Sequence, residues 1–154
     1  MTTQVRAVGA KAEKAPLESL EITRRDVLPE DVRIAVEYSG ICHSDIHTVR
    51  GDWGDMPYPV VPGHEIIGRV IEIGNNVTKY AVGDLVGVGV IVKSCGECEN
   101  CLAGDDHFCQ GPGGPLLTYA EADPYTPGAT THGGYSREIV TTEKFVFSIP
   151  ENLD

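Results

Sequence analysis

The chain has 154 residues, enough for one domain that buries roughly two-thirds of the surface its unfolded form exposes. Twelve basic against 23 acidic residues leave a formal charge of −11, which repels phosphate backbones and anionic membranes and sets nucleic acid aside as a partner. Eighteen glycines and ten prolines in a chain that is 41% hydrophobic point to many turns between short strands, hence to a mainly β fold, and no apolar run reaches the length of about 18 residues that a membrane-spanning helix needs.

Arg6, Lys11, Glu13, Lys14 and Glu18 interrupt the first twenty residues, so no signal peptide can be drawn and a cytoplasmic protein is expected. Residues 4–10 and 17–22 alternate loosely, as strands with one wet face do. Residues 31–38 alternate better: Val32, Ile34, Val36 and Tyr38 fall on one face, Arg33, Ala35 and Glu37 on the other. From Cys42 to Arg50 the period lengthens and predicts a short helix. Residues 51–59 read as a loop. Residues 60–74 read as a long strand entered through a Pro62-Gly63 bend and closed by Gly74-Asn75-Asn76. After a turn at Val82-Gly83-Asp84, residues 85–92 are apolar and β-branched, with Gly87 and Gly89 marking bulges or close backbone approach. A long loop is expected over 110–134, followed by a final strand pair at 135–140 and 144–149.

Four of the five cysteines, Cys95, Cys98, Cys101 and Cys109, lie within fifteen positions at spacings of two, two and seven residues. That spacing suits tetrahedral thiolate ligation, and it is read as a structural zinc lobe, with Gly96 and Gly104 letting the backbone wrap the ion. An iron–sulfur cluster is the rival, but the ferredoxin run closes with three residues and Cys-Pro, whereas here it closes with seven and Cys109-Gln110. Ordinary free or disulfide-bonded cysteines are the plainer alternative.

The fifth cysteine, Cys42, opens Cys-His-Ser-Asp-Ile-His, and Gly63-His64-Glu65 follows about twenty residues on. A thiolate, an imidazole and a carboxylate are ligand types of catalytic zinc, in which a fourth position stays open. A lone cysteine is usually a small buried hydrophobe, and a Gly-His-Glu triplet is common by chance.

Taken together the motifs are more specific. Gly40-Ile-Cys-His-Ser-Asp, Pro59-Val-Val-Pro-Gly-His-Glu-Ile-Ile-Gly, Val82-Gly-Asp and the cysteine lobe resemble, in that order, the catalytic domain of the medium-chain zinc-dependent alcohol dehydrogenases. Cys-His-Ser-Asp-Ile-His and Gly133-Gly-Tyr-Ser resemble the cinnamyl alcohol dehydrogenase branch, which favours NADP(H). The resemblance spans residues 1–154 and implies a GroES-like, partly open β-barrel with short helices and a zinc-binding lobe. It implies that Cys42 and His64 ligate a catalytic zinc, with Glu65 as an alternating or outer ligand. Neighbours on an ideal strand face opposite ways, so His64 and Glu65 reach one ion only if Pro62-Gly63 bends the chain.

Asp45 would orient an imidazole ligand, or else serve as a helix-start carboxylate. Ser44 and His47 lie three apart, as a hydroxyl-to-imidazole proton path requires, and the resemblance makes them the catalytic pair; a solvated helix histidine is the plain reading of His47. His43 occupies the place of a cofactor-phosphate contact. Trp53 stands where a substrate-pocket wall would be, favouring aromatic or bulky primary alcohols and aldehydes, unless it is an ordinary packed indole. Tyr58-Pro59 is a candidate cis bond. His107 and His132 fit no site and are expected at the surface.

The resembled enzymes continue into a Rossmann cofactor domain, which would begin near Ile149–Asp154, and no G-x-G-x-x-G occurs in this chain. The expectation is therefore the catalytic part of an alcohol dehydrogenase that interconverts primary alcohols and aldehydes with NADP or NAD. It would be a homo-oligomer at full length, and this portion would be inactive alone. A stand-alone GroES-like zinc module with a binding role and no reaction is the alternative. A sorbitol-type or formaldehyde-type zinc dehydrogenase is a third reading.

Overall fold

The computed structural model describes residues 2–150 and 152–153, so the expected junction at 149–154 falls partly outside the described residues. Strands β1 (Thr3–Gly9) and β2 (Glu18–Arg24) form an antiparallel hairpin in register from Thr3 opposite Arg24 to Gly9 opposite Glu18. The central sheet has five antiparallel strands. β3 (Asp31–Ser39) and β4 (Ile66–Ile73) lie inside it, with β5 (Leu85–Val88) beside β4; a third, two-stranded sheet joins β6 (Ile91–Lys93) to β7 (Leu116–Leu117). β8 (Glu138–Thr142) and β9 (Val146–Ser148) occupy opposite edges, so the central order is β8-β3-β4-β5-β9.

That order shows why the sheet curls. β8 and β9 would stand four strand spacings apart in a flat sheet, about 19 Å. Yet only a 3₁₀ turn at Glu143–Phe145 separates them, and four residue steps reach at most about 14 Å. The edges must bend toward each other, which makes a half-barrel, in keeping with the partly open barrel expected from the sequence. Its interior is filled by Val32, Ile34, Ile66, Val70, Val86, Val88, Ile139 and Val146. The hairpin packs a second cluster, Val5, Ala7, Ile22 and Val61, and Ala10, Val60 and Tyr119 form a third under the site.

Several expectations need correcting. The strands at 135–140 and 144–149 are present in part but do not pair with each other; β8 pairs with β3 and β9 with β5. The long strand at 60–74 is paired as a ladder only from Ile66, because residues 61–65 carry the bend and Val60 makes a lone bridge to Ala10. On β3 the two faces do not follow the simple alternation. Register shifts at Arg33/Ile34 and at Val36/Tyr38 turn Tyr38 outward, 71% exposed, and bury Arg33 against Glu72, Glu138 and Thr3. The apolar run at 85–92 breaks at Gly89-Val90 into β5 and β6, and β7 arises inside the expected loop. The Tyr58-Pro59 bond is cis.

Candidate metal centres

The cysteine lobe is a short helix, α2 (Glu99–Ala103), followed by a 3₁₀ turn at Asp106–Phe108, with Gly96 and Gly104 at positive φ of 76° and 90°. All four Sγ atoms lie within 4.8 Å of one another. Cys98 to Cys101 is 3.5 Å and Cys95 to Cys101 is 3.8 Å. A tetrahedron of thiolates around zinc, with bonds of roughly 2.3 Å, has edges of about 3.8 Å. These separations are too long for disulfides and leave room for one ion, not for a multi-iron cluster. Amides of Cys98 and Cys95 point at Cys95 Sγ and Cys109 Sγ, each at 3.3 Å, which favours thiolates. Backbone hydrogen bonds from Gln110 and Cys101 pull Cys98 down to about 6, while burial pushes Cys101 up to about 12. Four thiolates together therefore need a cation. Asp106 fastens the lobe to the barrel, accepting from Lys144 at 2.8 Å and Ser94 at 2.6 Å, contacts that hold its carboxyl below the usual range.

The second cluster joins two distant segments. Helix α1 (His43–Arg50) has Cys42 as its N-cap residue, and the bend before β4 carries His64 and Glu65; the ligand atoms of Cys42, His64 and Glu65 lie within 4.8 Å of one another. The bend exists because Gly63 takes φ +102°, and a Cβ there would meet the Tyr135 ring at 2.6 Å and Ser39 Oγ at 2.8 Å. The Gly133–Tyr135 segment seats it: Gly133 N donates to Val61 O at 2.7 Å, Gly134 N to Gly63 O at 2.8 Å and Tyr135 N to Pro62 O at 3.0 Å. Gly40, whose amide donates to Glu65 O at 2.8 Å, leaves the space in which the Glu65 side chain lies.

Asp45, only 2% exposed, caps helix α1 and also faces the His64 ring. Its Oδ2 accepts the Cys42 amide at 2.9 Å, capping α1, and its Oδ1 accepts the Gly63 amide at 2.9 Å. The same Oδ1 lies 3.3 Å from His64 Nδ1, which is also 3.1 Å from the Tyr119 hydroxyl. With the proton on Nδ1, facing Asp45 and the Tyr119 oxygen, the Nε2 lone pair would be free for a metal. Burial, then the Asp45 charge, raises Tyr135 to about 12, and burial followed by Asp45 raises Tyr119 as well, so both hydroxyls stay protonated.

Beside this cluster a cleft of about 280 Å³ is lined by Ser44, Trp53, Met56, His64, Leu117 and Tyr119, among others. Ser44 Oγ lies 3.5 Å from Cys42 Sγ. His47 is half-exposed, with Nδ1 2.8 Å from Asp52 Oδ2, and its ring centroid is 5.4 Å from that of Trp53 and 6.1 Å from that of exposed His43. Trp53 is 59% exposed, so it lines the cleft and is not an ordinary packed indole. Tyr119, Asp52 and Met56 belong here too; they sit in loops whose pattern carries no chemistry signal, and only the fold brings Tyr119 to His64. His107 is exposed as expected, but His132 is not a surface residue: its Nδ1 is buried with no hydrogen-bond partner, and burial pulls it down to about 4.

Among the described residues no helix is long and apolar enough to cross a membrane. The alcohol dehydrogenase GroES-like domain pattern matches residues 28–151. The chain is 52% identical over 149 residues to NADP-dependent alcohol dehydrogenase C 1 of Mycolicibacterium smegmatis, covering 97% of this chain and 42% of that protein. It is similar to the cinnamyl alcohol dehydrogenase of Sorghum bicolor, with a TM-score of 0.92 at 39% identity over 99% of this chain and 42% of that one. It is also similar to the CAD from Helicobacter pylori complexed with NADP(H), with a TM-score of 0.91 at 37% identity over 99% of this chain and 43% of that one. The chain thus spans less than half the length of these relatives. With its curled half-barrel, its four-cysteine lobe and its Cys-His-Glu cluster, the chain belongs to the alcohol dehydrogenase GroES-like domain family.

Proposed function

We propose that residues 1–154 are the catalytic portion of a zinc-dependent alcohol dehydrogenase that interconverts primary alcohols and aldehydes with NADP(H), completed by a cofactor domain of the full-length chain. The observation that carries this reading is the convergence of Cys42, His64 and Glu65 at a cleft that also holds Ser44 and Trp53. A zinc bound there would supply Lewis acidity that lowers the pKa of an alcohol oxygen, and a bound nicotinamide would supply the hydride acceptor. Cys42 and His64 would hold that ion, with Glu65 as an exchangeable ligand and Asp45 fixing the imidazole. Cys95, Cys98, Cys101 and Cys109 would hold the structural zinc.

The rest of the chemistry belongs to protons and shape. Ser44, beside Cys42, takes up the substrate hydroxyl proton. His47, one helical turn on and paired with Asp52, passes it to solvent. Trp53, Met56 and Leu117 give the cleft an apolar wall suited to an aromatic or bulky primary alcohol. His43, exposed near His47, is the candidate contact to cofactor phosphate. The relatives' names, NADP-dependent in one case and bound to NADP(H) in another, support NADP over NAD. We place the full-length protein in the cytoplasm as a homo-oligomer, where a reducing medium keeps five free thiols available.

The stand-alone binding module is not favoured, since a scaffold has no use for Ser44, His47 and a Cys42–His64–Glu65 cluster at one cleft. The test is NADPH-linked reduction of an aromatic aldehyde. This chain joined to its cofactor domain should turn over, and Cys42→Ser or His64→Ala should abolish it. A joined chain loaded with zinc that turns over no alcohol or aldehyde would overturn the reading.

A further inference from the structure

Arg24 ends strand β2, far from the metal cluster in sequence, and is only 8% exposed. Among the described residues its guanidinium makes no ion pair with a carboxylate. Instead Nε donates to Glu138 O at 2.9 Å, Nη1 to His132 O at 2.7 Å, and Nη2 to Gly133 O at 2.9 Å and Ser136 Oγ at 2.7 Å. A buried cation that spends its donors on one short segment fixes that segment's shape, because the planar fork leaves little freedom of direction. Burial lowers its pKa to about 10, so it is charged at neutral pH.

The other side of the same segment is what seats the ligand-bearing bend. Gly133, Gly134 and Tyr135 donate to Val61, Gly63 and Pro62, and the Tyr135 hydroxyl lies 3.3 Å from Asp45 Oδ2. Gly133 packs so tightly that a Cβ would fall on the carbonyl oxygens of Pro62 and Gly63. A shift of residues 132–136 therefore moves Gly63, and with it His64 and Glu65. We propose that Arg24 is a positioning residue for the Cys42–His64–Glu65 metal site, acting through residues 132–136. This inference rests on the reading of that cluster as a metal site.

Cobalt(II) titration of the chain tests it, because a one-thiolate site and a four-thiolate site give separate absorption spectra. Arg24→Lys and Arg24→Met should weaken cobalt at the Cys42 site about 10-fold or more, the range for outer partners of metal ligands, and leave the lobe unchanged. Ser136→Ala, which removes one acceptor of Arg24 and the hydroxyl's own donation to Gly133 O at 2.8 Å while leaving the other three Arg24 contacts, should move the same constant in the same direction by less, and it carries the test if Arg24→Met does not fold. Val86→Ala, a core deletion in β5, is the control for lost stability alone. If Arg24→Lys matches the wild type, the proposal is wrong. The same holds if Val86→Ala weakens the site as much per degree of lost melting temperature. A wild-type chain with no one-thiolate spectrum at millimolar cobalt would remove the metal-site reading itself, and this inference with it.

Discussion

The Asp45 carboxylate stands 3.3 Å from His64 Nδ1 across the seam between helix α1 and the Pro62–Gly63 bend, and its two oxygens meet donors on both sides. Cys42 N–H points at one oxygen and Gly63 N–H at the other, so no orientation of an amide satisfies both. Asp45→Asn should therefore cost about 2–3 kcal/mol in thermal unfolding. It should also lower cobalt affinity at the Cys42 site by about 10- to 100-fold. Unchanged affinity with lowered stability would leave Asp45 as a helix cap and nothing more.

Two glycines separate packing from backbone strain. A Cβ at Gly133 would collide with the backbone of Pro62 and Gly63, which cannot swing away as a flexible side chain could, whereas Gly83 faces open space at φ +102°. Gly133→Ala should cost about 3 kcal/mol or more through overpacking. Gly83→Ala should cost about 1 kcal/mol through left-handed strain alone. Denaturant midpoints for the two variants check this, and equal losses would contradict it.

Much of the candidate site was legible because its residue types come in short, fixed spacings: Cys95 to Cys109, Cys42 to His47, Gly63 to Glu65. Strands β1 to β3 were legible from alternation. What the sequence hides is non-local. Tyr119 meets His64 across 55 positions, and Arg24 meets Gly133 across 109. Neither tyrosine nor arginine carries a pattern that names its partner. The faces of β3 depart from simple alternation because bulges shift register without changing composition. Proximity in sequence suggests a hairpin of β8 and β9, while barrel curvature sends each to a different edge.

His132 should make stability depend on pH. Its folded pKa is lowered to about 4 by burial, with Arg24 adding repulsion, against about 6.5 in an unfolded chain. Between those values the unfolded state binds more protons, so stability rises with pH and is lost as pH falls from about 6.5 toward 4. Allowing for partial solvent screening, the loss should be about 2 kcal/mol. Carboxylates titrate nearby, so the check is a difference: His132→Gln should lose less stability than the wild type between pH 7 and 4.5. Parallel curves would refute it.

The two metal sites should differ sharply in grip. Four sulfurs held within 4.8 Å of one another, with amides aimed at two of them, complete a tetrahedron from this chain alone. Cys42, His64 and Glu65 offer only two strong ligands and one exposed carboxylate, which leaves an ion short of protein donors. Purified chain, dialysed against a moderate chelator, should therefore retain one zinc and release the other, by elemental analysis. A stronger chelator that strips the lobe should lower the melting temperature, since an ion bound only to the folded state adds RT ln(1 + [L]/Kd) to stability. Cys101→Ser, which removes the most buried pair-forming sulfur of the lobe, should abolish that increment while leaving the one-thiolate cobalt spectrum of the Cys42 site intact. Two tightly held ions in the wild-type chain would contradict the ranking and require a further ligand for the Cys42 site.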